Sequence, residues 1–377
     1  MSQVTRRSLI AIIAILMASI AMSDHAKAGT IAAAEDHTCG VTGGGAAKCW
    51  GRNSYYQLGD GTEDGVDRLT PVSVKKLTSG VSAIAAGRYH SCALLNSGAV
   101  KCWGNGAEIG DGVGLSRSTP VFVKGMKQGI VAIDARYTHT CALTNGGGVK
   151  CWGSNFYGEL GNRTTEWGWS PVFVTGFRTG ATAVTVGESH TCVLTDTGGV
   201  KCWGRNHVGQ LGDGTTTNRL VPKFVKGLRS DVLAIAAGYM HTCALTAAGR
   251  VKCWGANLSG SLGDGTAVER HAPVYVKRLG DIVTAIAAGH SVTCALTGAG
   301  QAKCWGTPVG DGVPNQPSYF PTNVKGLKNG VTAISAGDFH GCAIIGGGAR
   351  CWGWNDHGQI GDGTTTTQWA PVKVNGF

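Results

Sequence analysis

Charge is scarce in this chain. Asp, Glu, Lys and Arg make up 15% of its 377 residues, where soluble domains average about 25%. No Gly-X-Y period organises the 61 glycines, which excludes collagen. No stretch after residue 28 is apolar for long enough to span a bilayer, and none has a helical period long enough to trust. Catalytic signatures are absent too: there is no Gly-x-Ser-x-Gly elbow, His-Glu-x-x-His helix, phosphate loop or Cys-x-x-Cys. A hydrophobic content of 42% excludes a disordered chain, which could not offset its ordering entropy. What remains is a large, turn-rich globular protein.

The first 28 residues stand apart. Arg6 and Arg7 precede an apolar run from Leu9 to Met22, and Ala26-Lys27-Ala28 supplies a small-x-small cleavage site. This predicts a signal peptide over 1–28, a mature start at Gly29, and a product that is secreted, periplasmic or on the cell surface. A retained anchor is the weaker reading, because the run is short for a membrane span. The mature chain would carry 30 basic and 22 acidic residues, net +8.

Self-similarity dominates the rest. Cys-Trp-Gly recurs at Cys49, Cys102, Cys151, Cys202, Cys253, Cys304 and Cys351. A typical unit runs Ile235-Ala236-Ala237-Gly238, then His241 to Thr246, then Val251 to Gly255, and ends on Pro273-Val274-Tyr275-Val276. Each unit offers four short β-type runs between Gly, Asn and Asp turns. Seven such units predict an all-β, seven-bladed propeller of four-stranded antiparallel blades over residues 29–377. The Ile-Ala-Ala-Gly run suits the innermost strand, where only small side chains fit. A stacked solenoid is disfavoured, because no distinct capping repeats are present.

The pattern His190 to Thr195, Gly199 to Gly204 and Asn206 to Thr215 resembles the regulator-of-chromosome-condensation repeat, and the resemblance covers residues 31 to 377. It implies a seven-bladed propeller whose closing blade joins strands from both termini. Some relatives exchange nucleotide on a small GTPase, an activity that a signal peptide and disulfides would put out of reach.

The cysteines fall into pairs separated by ten residues, or nine in the last repeat. Setting Cys192 opposite Cys202 pairs Val193 with Lys201 and Leu194 with Val200, leaving Asp196-Thr197-Gly198 as a three-residue turn with Gly in the left-handed position. The last repeat leaves a two-residue turn, Gly346-Gly347. Alternation makes each cysteine pair a non-hydrogen-bonded one, about 4.5 Å apart at Cα and within reach of a disulfide. Seven bonds are predicted: Cys39–Cys49, Cys92–Cys102, Cys141–Cys151, Cys192–Cys202, Cys243–Cys253, Cys294–Cys304 and Cys342–Cys351. Each should contribute about 2–3 kcal/mol in the chain-entropy model.

Other recurring residues read as scaffold. The His two positions before the first cysteine is a polar bridge between strands, since each unit supplies too few ligands for zinc. The Asp of each Gly-Asp-Gly turn bonds its own backbone, since calcium needs several oxygens per site. The basic residue before every Cys-Trp-Gly spreads charge around the ring without a patch. Nucleic-acid binding, which needs a basic stripe with interleaved aromatics, is therefore not expected.

Four tryptophans lie outside the motif. Trp169 and Trp369 precede the strand proline and read as structural. Trp354 and Trp167 break polar columns, and Tyr56, beside Tyr55, replaces a recurring glycine. Tyr55, Tyr56, Trp167 and Trp354 are therefore the candidate binding residues, on repeats seven, one and three. The expected function is an exported, monomeric, non-catalytic binding propeller with no cofactor and no metal, presenting loops to an exported or cell-surface protein or a surface glycan. The runner-up is an inhibitor of an exported enzyme, similar to propeller-type β-lactamase inhibitors, with nucleotide exchange or an unrecognised hydrolase behind it.

Overall fold

A computed structural model describes residues 30–314 and 316–377. The predicted signal peptide and the Gly29 start lie outside these residues. Seven four-stranded antiparallel sheets follow one another along the chain, each built from one repeat. Blade one comprises β1 (Ile31–Ala33), β2 (His37–Val41), β3 (Ala47–Gly51) and β4 (Arg68–Ser73), and blade seven ends at Lys373. Strands run inner to outer in sequence order, so every blade is a simple meander.

The hairpin arithmetic holds residue by residue. Cys192 faces Cys202, Val193 faces Lys201 and Leu194 faces Val200, and Gly198 closes the turn at φ 76°. In blade seven Ile345 faces Gly348 around Gly346-Gly347. All seven predicted disulfides are formed, with Cα atoms 4.0–4.1 Å apart. The cysteines are buried.

The core lies between blades rather than within them. Leu194, Val200, Leu211 and Leu228 of blade four pack against Ala244 and Trp254 of blade five. Truncating such a buried tryptophan to alanine typically costs about 3–5 kcal/mol. Its indole is also anchored: Trp254 Nε1 donates to the Gln210 carbonyl (2.9 Å), which accepts from Thr242 as well (2.9 Å). The motif histidines complete the joint. They bridge neighbouring blades and not strands of one blade: His190 Nε2 lies 2.9 Å from Thr242 Oγ1 of blade five. Burial pushes His37, His139, His190, His241 and His340 down to about 3, so they sit neutral at pH 7.

Two expectations need correction. No blade mixes strands from the two termini. The ring closes because blade seven meets blade one through the same joint as its siblings: His340 to Thr38 (2.7 Å), and Trp50 to the Gln359 carbonyl (2.9 Å). Nor is the positive charge evenly spread in space. Within every blade the first and third turns open on one face, and the second turn and the link to the next blade open on the other. Connections on the first face carry eighteen acidic and four basic residues, and those on the second carry three acidic and twelve basic. An even spread along the sequence becomes a two-pole protein, because a meander sends alternate turns to opposite sides.

Candidate interaction face

The inner strands enclose an axial channel of about 300 Å³. Ala is the usual lining residue, as predicted, and three polar replacements tie adjacent inner strands together. Asp134 accepts from Val186 N (2.8 Å), Thr185 from Ala237 N (3.0 Å) and Ser335 from Ala33 N (3.0 Å). Burial raises the Asp134 carboxyl above its ordinary range.

At the acidic face the channel is bridged. Arg136 occupies the position held by glycine in blades two and four to seven. Its guanidinium reaches across to Asp338 (2.6 Å) and the Ala336 carbonyl (2.9 Å) of blade seven. The next residue of each blade rings this mouth and changes from blade to blade: Glu35, Arg88, Tyr137, Glu188, Tyr239, His290 and Asp338. Arg88 pairs with Glu35, contacts the Tyr137 hydroxyl, and lies 4.8 Å from the Tyr137 ring. Arg205 stands 3.6 Å from Glu188. Burial pushes Glu35 up to about 7 against the pull of Arg88, and raises Glu188 against Arg205. Tyr239 is pushed up to about 12, by burial and then by Glu188. Each mouth carboxylate is thus paired with an arginine: Glu35 with Arg88, Glu188 with Arg205 and Asp338 with Arg136.

Aromatic rings form a row from this mouth to the rim. Tyr137 meets Tyr239 edge-on at 5.9 Å, Tyr239 stacks on His290 at 4.1 Å, and His290 on Phe339 at 5.6 Å. Trp354 follows Phe339 at 6.1 Å. Phe339 is 37% exposed and Trp354 45%. Tyr55, 39% exposed, leans on Tyr89 at 4.6 Å.

The four candidates from sequence therefore fare differently. Trp354 and Tyr55 stand exposed on this face. Tyr56 is half-buried with a left-handed backbone, φ 66°. A side chain fits there because the facing residue of the next blade is Ser118. At Gly158 and Gly358 a Cβ would strike Leu220 and Leu69 of the neighbouring blade. Trp167 is separate. Its indole donates to the Ala107 carbonyl (3.0 Å) of a short helix, α1 (Gly106–Ile109), and its ring packs near Phe156 and Trp169. Trp169, expected to be structural, is 50% exposed and lies over Gly114 in the loop of blade two that joins its third and fourth strands. The mouth residues were missed, although one signal marked them. The position after Ala-Gly varies in charge and size from repeat to repeat, while the Ala-Gly before it and the His two positions after it mostly recur.

The turn aspartates behave as expected: Asp213 accepts from Thr215 N (2.9 Å) and is clasped by Arg219 (2.7 Å). Among the described residues no group of three or more His, Cys, Asp or Glu is placed to hold a metal ion.

The sequence model of the RCC1-like domain matches residues 110–377, and the regulator of chromosome condensation (RCC1) repeat matches residues 49–94, with a second form of it at 30–57 and 81–108. The chain belongs to the RCC1-like domain family. Ultraviolet-B receptor UVR8 of Arabidopsis thaliana is 29% identical over 361 residues, covering 91% of this chain and 69% of that protein. E3 ubiquitin-protein ligase HERC2 of Homo sapiens is 32% identical over 205 residues, 52% of this chain but 4% of that protein. Among solved structures, human WBSCR16 superposes with a TM-score of 0.78 at 22% identity, covering 88% of this chain and 94% of that one. Yeast RCC1 (Prp20), solved bound to Kap60, superposes with 0.76 at 22% identity, covering 94% and 86%. These likenesses show the RCC1-like propeller fold.

Proposed function

We propose that this RCC1-like chain is an exported, non-catalytic propeller that binds a protein partner on its acidic mouth face. One observation carries the reading. Scaffold positions repeat and are buried, whereas the mouth positions differ from blade to blade and gather a partly exposed aromatic row ending in Phe339 and Trp354. Large aromatics beside charged groups are typical anchors of protein interfaces. Yeast RCC1 bound to Kap60 is an RCC1-like propeller with a protein partner. The export part rests on the residue 1–28 pattern and on disulfides, which persist in oxidising compartments.

The test is capture of partner from an envelope extract by the oxidised protein, with Phe339→Ala/Trp354→Ala alongside. Loss of an anchor worth about 2 kcal/mol weakens binding about thirtyfold. The double variant should lose capture and keep its melting temperature. Capture at wild-type level, or early melting, overturns the assignment.

A further inference from the structure

The face opposite the mouth carries a feature that a protein-binding mouth does not use. In blade four Phe224 is the last residue of the outer strand Arg219–Phe224. Lys201, its cross-strand partner, places Nζ 4.6 Å from the ring centre, and the Arg229 guanidinium lies 4.7 Å from it. Blade three repeats the arrangement with Phe173 between Lys150 (4.8 Å) and Arg178 (4.7 Å). Blade two has Phe122 between Lys101 (4.8 Å) and Lys127 (5.9 Å), and blade five has Tyr275 between Lys252 (4.8 Å) and Arg250 (3.8 Å).

The aromatic stops there. Blades six, seven and one have Asn323, Lys373 and Ser73 at that position. In blade six Lys303 is neutralised by Asp281 at 2.8 Å. Four consecutive blades therefore present eight cations, each steadied against a ring, along one arc of the outer edge. A cation held over an aromatic face keeps its charge while losing little further freedom when an anion arrives.

We infer that this arc binds a flexible anionic polysaccharide, whose carboxylate or sulfate groups pair with the lysines and arginines of blades two to five. Charge complementarity supplies the attraction, and the geometry selects the polymer. The rings already carry cations, so bases of single-stranded nucleic acid have no free platform on which to stack. The arc is convex and spans four of seven blades. A DNA duplex, stiff over about 150 base pairs, touches such an edge only tangentially, whereas a flexible glycan follows it.

The experiment uses the oxidised, full propeller with immobilised heparin and polygalacturonate as probes, and neutral dextran and a short DNA duplex for comparison. At about 0.15 M salt the protein should bind both anionic glycans and not dextran, releasing them as salt rises. Replacing Lys101, Lys150, Lys201 and Lys252 by Gln should weaken glycan binding about tenfold or more. The variant Lys48→Gln/Lys303→Gln/Arg350→Gln, which changes the same position in the three blades outside the arc, should bind nearly as the parent does. Unchanged melting temperatures show that both variants fold. Phe339→Ala/Trp354→Ala should bind glycan normally, which separates this surface from the mouth. No glycan binding, equal loss in the two charge variants, or tighter binding to the duplex overturns the inference.

Discussion

Blades six and seven meet differently from every other neighbouring pair. At six junctions a histidine ring nitrogen lies 2.6–3.0 Å from a Ser or Thr hydroxyl of the next blade. At the junction of blades six and seven Val292 replaces the histidine and Gly341 the threonine. Pro308 stands where blades three and four have Glu159 and Gln210, whose carbonyls receive a tryptophan N–H. The Trp352 indole N–H is left buried without a partner. Apolar contact remains, through Val292, Val309, Leu327 and Trp352. The comparison teaches that apolar packing holds the blades together and that the polar joints are added to it. An unpaired buried donor costs about 1–3 kcal/mol, a penalty that six complete junctions can offset.

Acid is the largest lever on this difference. Five buried histidines titrate near 3 in the fold and near 6.5 in an unfolded chain. Their contribution is complete above pH 6.5 and is lost as pH falls toward 3, because unfolding then takes up protons that the fold refuses. Glu35 and Glu159, raised by burial to about 7, act in the opposite sense. Their contribution is present below 4.5 and is lost as pH rises through 7. Glu188 and Asp134, also raised by burial, join them, so four carboxyls oppose five histidines, and melting temperature should drop between pH 6.5 and 4, with net proton uptake on unfolding. A flat profile over that range would mean that the histidines are already charged in the fold.

A middle-sized effect is expected in local stability. Amide exchange measured by mass spectrometry should be about tenfold faster in Val331–Ala336 and His340–Ile345, beside the incomplete junction, than in Ala181–Val186 and His190–Thr195. That ratio corresponds to about 1.4 kcal/mol of easier opening. Equal protection would show that the missing joint has no local consequence.

The smallest effect concerns the junction of blades one and two, where Tyr56 carries a side chain on a backbone that is left-handed in its glycine counterparts too. Tyr56→Gly restores the residue found at Gly158, Gly209, Gly260 and Gly358, where φ is 76–86°. Relief of a left-handed non-glycine residue contributes about 1 kcal/mol, partly cancelled by the freer unfolded chain. Melting temperature should stay level or rise slightly. A clear drop would show that the Tyr56 ring packs more strongly than its backbone is strained.

The repeats alone determined blade number, strand order, hairpin register and all seven disulfides. These depend on contacts about ten residues apart, where a period of two and a glycine turn leave a single register. Tertiary structure decided what arises between blades. The His241 ring meets Thr293, fifty-two positions away, and its role as a joint between blades is invisible within one repeat. Ring closure without a shared strand rests on His340 meeting Thr38 across 302 positions. The mouth unites seven turns spread along the chain, and Arg136 became its bridge only when Asp338 was brought opposite. Charge followed the same logic. Lysines evenly spaced in sequence gathered on one side because a meander turns back with every strand, and only a closed ring sets seven such turns side by side.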